Sequence, residues 1–228
     1  MLSYKRNYFL MLSFLLLIQN QNSYAGGIAL GATRVIYPSD SKQVSLPVTN
    51  SDDKESYLIQ SWLSRSDGTK SNDFVLTPPL FAMMPKKENV LRIMYSGVPL
   101  ATDRESVFYL NVKAIPAINK ESLKGNNLQI ATQSIIKVFM RPKGLPIPSS
   151  QAPEALRCSF TDGNINIKNP SPYFVSLVQL LFGGVKLKSE MVPPKGNIDV
   201  SVPSGSHGPF SFQTINDYGA VTARQTCS

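Results

Sequence analysis

Three prolines fall within the seven residues Pro142-Lys143-Gly144-Leu145-Pro146-Ile147-Pro148, directly after Arg141. Proline fixes its own backbone torsion and offers no N–H to a ladder, so this stretch cannot continue a central strand and marks a boundary between two halves. On both sides, short segments rich in Val, Ile, Tyr and Phe recur between turn signals at roughly 8–12-residue spacing, and helical periodicity is scarce. The first half predicts strands over 28–37 (broken at Gly31), 43–48, 57–64, 74–77, 81–84, 90–95, 107–115 and 128–140, with Asp67-Gly68 as a hairpin turn. The second predicts strands over 156–160, 165–168, 173–182, 185–187, 198–202, 210–215 and 221–227, with turns at Asp162-Gly163 and Gly183-Gly184. The expected fold class is all-β: two immunoglobulin-like sandwiches, residues 26–146 and 147–228. Trp62, without a flanking cysteine pair, is expected in the first core.

The N-terminus predicts export. Lys5 and Arg6 precede an apolar run from Tyr8 to Ile18, and the small-residue site Ser23-Tyr24-Ala25 precedes Gly26. That run is short of the roughly 20 residues a spanning helix needs, so residues 1–25 read as a signal cleaved after Ala25. An exported chain meets an oxidising compartment, which makes its two cysteines, Cys158 and Cys227, a disulfide pair. In the chain-entropy model a bridge closing a loop of that length is worth roughly 4 kcal/mol. The net charge of +8 falls by two units with the signal, and the basic residues are scattered, which excludes a nucleic-acid site and leaves an anionic protein as the charge-matched partner.

Catalysis has no residues to work with. The only histidine, His207, sits in a Ser-Gly-Ser-His-Gly-Pro turn, and no Gly-x-Ser-x-Gly elbow, phosphate loop or metal-ligand spacing occurs. No enzyme activity, cofactor or metal is expected.

Five segments, Gly31-Ala32-Thr33-Arg34-Val35-Ile36-Tyr37-Pro38, Tyr57-Leu58-Ile59-Gln60-Ser61-Trp62, Thr77-Pro78-Pro79, Asp103-Arg104-Glu105-Ser106 and Ile215-Asn216-Asp217-Tyr218-Gly219, resemble periplasmic pilus chaperones in order and spacing. Asn111 to Pro116, Ile136-Lys137 with Arg141-Pro142, and Asn169 to Tyr173 extend the resemblance over nearly the whole exported chain. It implies a boomerang of two sandwiches that stabilises fimbrial subunits and the adhesin by lending them a strand, then delivers them to an outer-membrane usher. No small-molecule substrate is implied. The alternative within the same setting is a structural pilin or adhesin-like subunit, which would lack its own last strand, whereas both halves here have a full strand count.

The resemblance also assigns residues. The donor segment is 128–134, with Leu128, Ile130, Thr132 and Ser134 on one face by period two. Alternation alone reads these as core residues of a half-buried strand; their place in the family pattern assigns them to donation. Thr132 stands where a larger aliphatic side chain is usual, which implies a weaker anchor or a subunit with a smaller or more polar pocket. Arg34 and Lys137 match the pair that holds the subunit's C-terminal carboxylate, for which a guanidinium fork and an ammonium are suited donors. Glu105, Arg141 and Asp217 match an interdomain charge cluster, and Leu58, Gln60, Thr77, Pro79 and Arg92 match a surface that docks on the usher.

Overall fold

The structure is a computed structural model describing residues 26–118, 128–161 and 163–227. The expected signal, residues 1–25, lies outside the described residues, as do the connection from Asn119 to Asn127 and Asp162 of the expected Asp162-Gly163 turn. The first sandwich contains β1 (Ile28–Leu30), β2 (Arg34–Pro38), β3 (Val44–Asn50), β4 (Tyr57–Ser64), β5 (Phe74–Thr77), β6 (Leu80–Met83), β7 (Glu88–Tyr95), β8 (Ser106–Pro116) and β9 (Thr132–Arg141). One sheet has the order β1-β3-β7-β5 and the other β2-β9-β8-β4-β6. The first strand changes sheets at Gly31, whose N–H donates to the Pro47 carbonyl at 2.8 Å. A Cβ at Gly31 would meet the Pro47 ring at 3.1 Å, so the crossing leaves little room for a side chain.

Alternation builds the core. Ile59, Leu63, Leu91, Ile93, Leu110 and Val138 point between the sheets and are almost fully buried. Trp62 does not join them. In β4 it is out of phase with Ile59, Ser61 and Leu63, so it lies half-buried on the outer face of its sheet, a correction to the expected core position.

The second sandwich contains β10 (Arg157–Thr161), β11 (Asn164–Asn169), β12 (Val175–Phe182), β13 (Val185–Lys186), β14 (Glu190–Val192), β15 (Gly196–Ser201), β16 (Phe210–Thr214) and β17 (Gln225–Thr226). Its sheets are β10-β11-β15 and β13-β12-β16-β17, with β14 also paired to β12. Cys158 on β10 and Cys227 after β17 form a disulfide, which ties the edge strand of one sheet to that of the other.

Three elements depart from the sequence reading. The short β14 was not anticipated, because three residues carry too little pattern. The expected strand 221–227 contracts to β17 and one isolated bridge at Val221, since the Thr222 hydroxyl accepts the Thr214 N–H in place of a ladder carbonyl. Finally, β9 begins at Thr132 and leaves Leu128 to Ala131 outside any strand. Its partner β8 pairs Ala114 with Thr132 and then runs to Pro116, which has no N–H to extend the ladder.

Candidate functional site

Strand β9 is paired on both sides for only part of its length. β8 pairs along it from Thr132 to Met140, whereas β2 joins from the other side only at Lys137, opposite Arg34. Among the described residues the edge from Thr132 to Ile136 is therefore free, and open backbone donors and acceptors of this kind can template another strand. Large apolar side chains accompany it: Leu128 is 87% exposed, Ile130 64% and Ile135 58%. Leu128, Ile130, Thr132 and Ser134 share the phase of Ile136, Val138 and Met140, the side that faces the core further along the strand. Ile135 has the opposite phase, that of Lys137 and Phe139, and was not picked out from the sequence.

Arg34 and Lys137 are register partners on β2 and β9 and project from the same outer face. Burial pulls the Lys137 ammonium below its ordinary value, and the adjacent Arg34 charge adds to that. Burial also lowers the Arg34 guanidinium, against the pull of Asp217 and Glu105. Arg34 Nη1 donates to the Ile215 carbonyl at 3.0 Å, and its Nε is closed off without a partner. Among the described residues neither cation forms an ion pair. Two half-desolvated cations side by side repel one another, so a carboxylate arriving between them relieves a cost that each otherwise bears.

Glu105, Arg141 and Asp217 meet at the junction of the sandwiches. Arg141 Nε lies 2.7 Å from Glu105 Oε1, and its two terminal nitrogens take both Asp217 oxygens at 2.7 and 2.8 Å. Ser149, unremarked in the sequence, donates to Asp217 at 2.8 Å, and the Phe174 N–H donates to Glu105 at 2.8 Å. Burial pushes the Glu105 carboxyl up despite Arg141. For Asp217 burial acts in the same sense, but hydrogen bonds from Arg141 and Ser149 outweigh it and hold the carboxyl below its usual range. The Asp217 turn requires Gly219, whose φ of +84° favours glycine and whose missing Cβ leaves room for the Thr33 hydroxyl of the first sandwich. Asp103 and Lys195 form a second ion pair between the sandwiches, at 2.6 Å. A cavity of about 400 Å³ opens here, lined by Arg34, Phe139, Arg141, Tyr173 and Asp217 among others; Lys137 does not line it.

The remaining group divides between two faces around one edge. Leu58 and Gln60 lie exposed on β4, where the Ser61 N–H donates to the Pro79 carbonyl. Thr77 and Arg92 are cross-strand partners in the other sheet, connected to β6 through Pro78-Pro79. Exposed Val75, Leu80 and Met94 enlarge this apolar surface, and alternation within β5 and β7 was the signal that could have found two of them.

Comparison with known proteins gives the arrangement a context. Residues 27–146 match the N-terminal domain of the pili and flagellar-assembly chaperone PapD, and residues 151–226 match the C-terminal domain of the pili-assembly chaperone PapD. The probable fimbrial chaperone SfmC of Escherichia coli strain K12 is 48% identical over 214 residues, covering 93% of each chain. The chaperone protein FocC of Escherichia coli is 50% identical over 212 residues, 92% of this chain and 93% of its own. Among solved structures, the periplasmic chaperone SfaE has a TM-score of 0.79 at 47% identity, covering 88% of this chain and 99% of that one. A chain from the Salmonella enterica complex of SafA pilin with SafB chaperone has a TM-score of 0.81 at 28% identity, covering 90% and 97%.

Proposed function

The chain belongs to the pilus-assembly chaperone family, and on that premise we propose that it is a periplasmic chaperone that completes fimbrial subunits with its own strand. The observation that carries this reading is the free edge of β9 from Thr132 to Ile136, with Leu128 and Ile130 exposed beside it and the cations Arg34 and Lys137 at its inner end. A subunit missing a strand needs backbone partners and apolar side chains in its groove, and the edge offers both. Leu128 to Ala131, outside any strand pairing among the described residues, become strand once a subunit supplies a partner. Arg34 and Lys137 receive the subunit's C-terminal carboxylate, which fixes the register. Glu105, Arg141 and Asp217 hold the sandwiches, residues 26–146 and 147–228, at the angle this requires.

The exposed surface around Leu58, Gln60, Thr77, Pro79 and Arg92, on strands β4 to β7, is the one we assign to the outer-membrane usher. Residues 1–25 direct export and are removed after Ala25. The work is binding, with no catalytic step.

The test is capture of subunit from periplasmic extract by Arg34→Ala and Lys137→Ala variants. Losing one partner of a desolvated charge pair costs about 3–5 kcal/mol, or at least two powers of ten in affinity. Lys54→Ala, at an exposed surface position, should change affinity by less than about 0.5 kcal/mol. Capture by both folded anchor variants at the parent's level would overturn the assignment.

A further inference from the structure

Phe139 is out of phase with the core. It follows Val138 and precedes Met140, both of which pack between the sheets, so it projects from the outer face with Lys137 and Arg141. It is nonetheless only 3% exposed. Part of its cover comes from the second sandwich, where the Phe174 ring lies 5.8 Å away, centroid to centroid, at a 42° tilt. The Phe174 backbone is itself fixed to the first sandwich by its N–H bond to Glu105. On Phe139 rests the Arg34 guanidinium, its central carbon 5.7 Å from the ring centroid, while Nη1 is tied to the Ile215 carbonyl of the second sandwich. With one Nη1 hydrogen engaged and Nε closed off, the donors that remain for a ligand are the terminal N–H groups not taken by the Ile215 carbonyl.

We propose that Phe139 and Phe174 are positioning residues for the carboxylate anchor, two rings in contact across the interdomain junction that seat the Arg34 guanidinium while the Ile215 carbonyl sets its rotation. The inference rests on the anchor reading given above and adds what that reading lacks, a reason for one cation to hold a fixed direction before the subunit arrives. A free arginine loses rotamer entropy when it is captured by a carboxylate; one already stacked and hydrogen-bonded has lost it beforehand. It also gives the second sandwich a part in capture although it donates no strand. When the sandwiches separate, the ring beneath Phe139 and the carbonyl acceptor leave together and the anchor loosens.

The experiment is a double-mutant cycle between Phe139→Leu and Arg34→Ala, read as affinity for the fimbrial subunit that co-purifies with the parent chain. Leucine keeps the site apolar and removes the ring face. The expected result is a loss of about tenfold for Phe139→Leu with Arg34 present, the scale of a partly desolvated cation–ring contact, and less than twofold in the Arg34→Ala background. Phe174→Leu should follow the same pattern. A merely structural role would give equal losses in both backgrounds. If Arg34→Ala weakens capture while Phe139→Leu costs as much with or without Arg34, the anchor stands and the positioning proposal falls. Full capture by folded Arg34→Ala would bring down the anchor reading, and this proposal with it. Circular dichroism of each variant keeps misfolding apart from these outcomes.

Discussion

Replacing Arg141 with Met removes the one guanidinium that joins the sandwiches through two carboxylates, and the structure sets the size of the loss. Glu105 is only 3% exposed, and without Arg141 its carboxylate retains the Phe174 N–H as its partner. An unpaired charge at such a position costs about 3–5 kcal/mol. Asp217, with its side chain 32% exposed, can turn to water and adds about 1 kcal/mol or less. The loss should also depend on pH. Burial raises the Glu105 carboxyl above its ordinary value of 4.5, more so once Arg141 is gone, so its penalty is small in acid and grows as pH rises above that value and through the raised, folded one. Urea unfolding followed by the single tryptophan, Trp62, reports on the first sandwich, and small-angle scattering reports on the angle between the two. Adding Glu105→Leu to Arg141→Met removes the stranded charge and should restore more than half of the loss. A cost below about 1 kcal/mol for Arg141→Met, the value of an exposed pair, would refute the argument, as would a double variant no more stable than the single one.

Ile130→Asp should abolish subunit capture whereas Gln129→Asp leaves most of it, because only the first places a charge in an apolar groove; equal losses in the two folded proteins would show that the donor face is misassigned. The Asp217 carboxyl is held below its ordinary value of 3.8, so its stabilising contribution is complete above that pH and is lost as pH falls through the lower, folded value. Asp217→Asn should therefore cost about 1 kcal/mol near neutrality, with the difference from the parent closing below about pH 4; a gap that persists undiminished at pH 3 would contradict this.

Strand placement was legible because period-two alternation and turn residues are local signals. β4 and β5 occupy the spans that the sequence predicts, and the break at Gly31 separates β1 from β2. The first turn of the donor segment was misread for a related reason. Leu128 to Ala131 have the composition of a strand, but a strand needs a partner, and Pro116 ends the one available. The meeting of Glu105, Arg141 and Asp217 followed from resemblance alone, since contacts across 36 and 76 residues leave no trace in local pattern. Ser149 and the pair Asp103–Lys195 were missed on the same ground. Phe139 was within reach of the sequence: it shares the phase of Lys137 and Arg141, an apolar ring on a face otherwise read as charged.

The central claim is that the free edge of β9 is completed by the subunit. Amide hydrogen exchange, compared between the chain alone and the chain with its co-purified subunit, reads that edge directly. The account predicts fast exchange from Leu128 to Ala131 in the free chain and strong protection there and along the unpaired edge to Ile136 in the complex, with Ile59 and Leu110 of the core protected in both. A tight complex that leaves exchange from Leu128 to Ile136 unchanged would contradict strand donation.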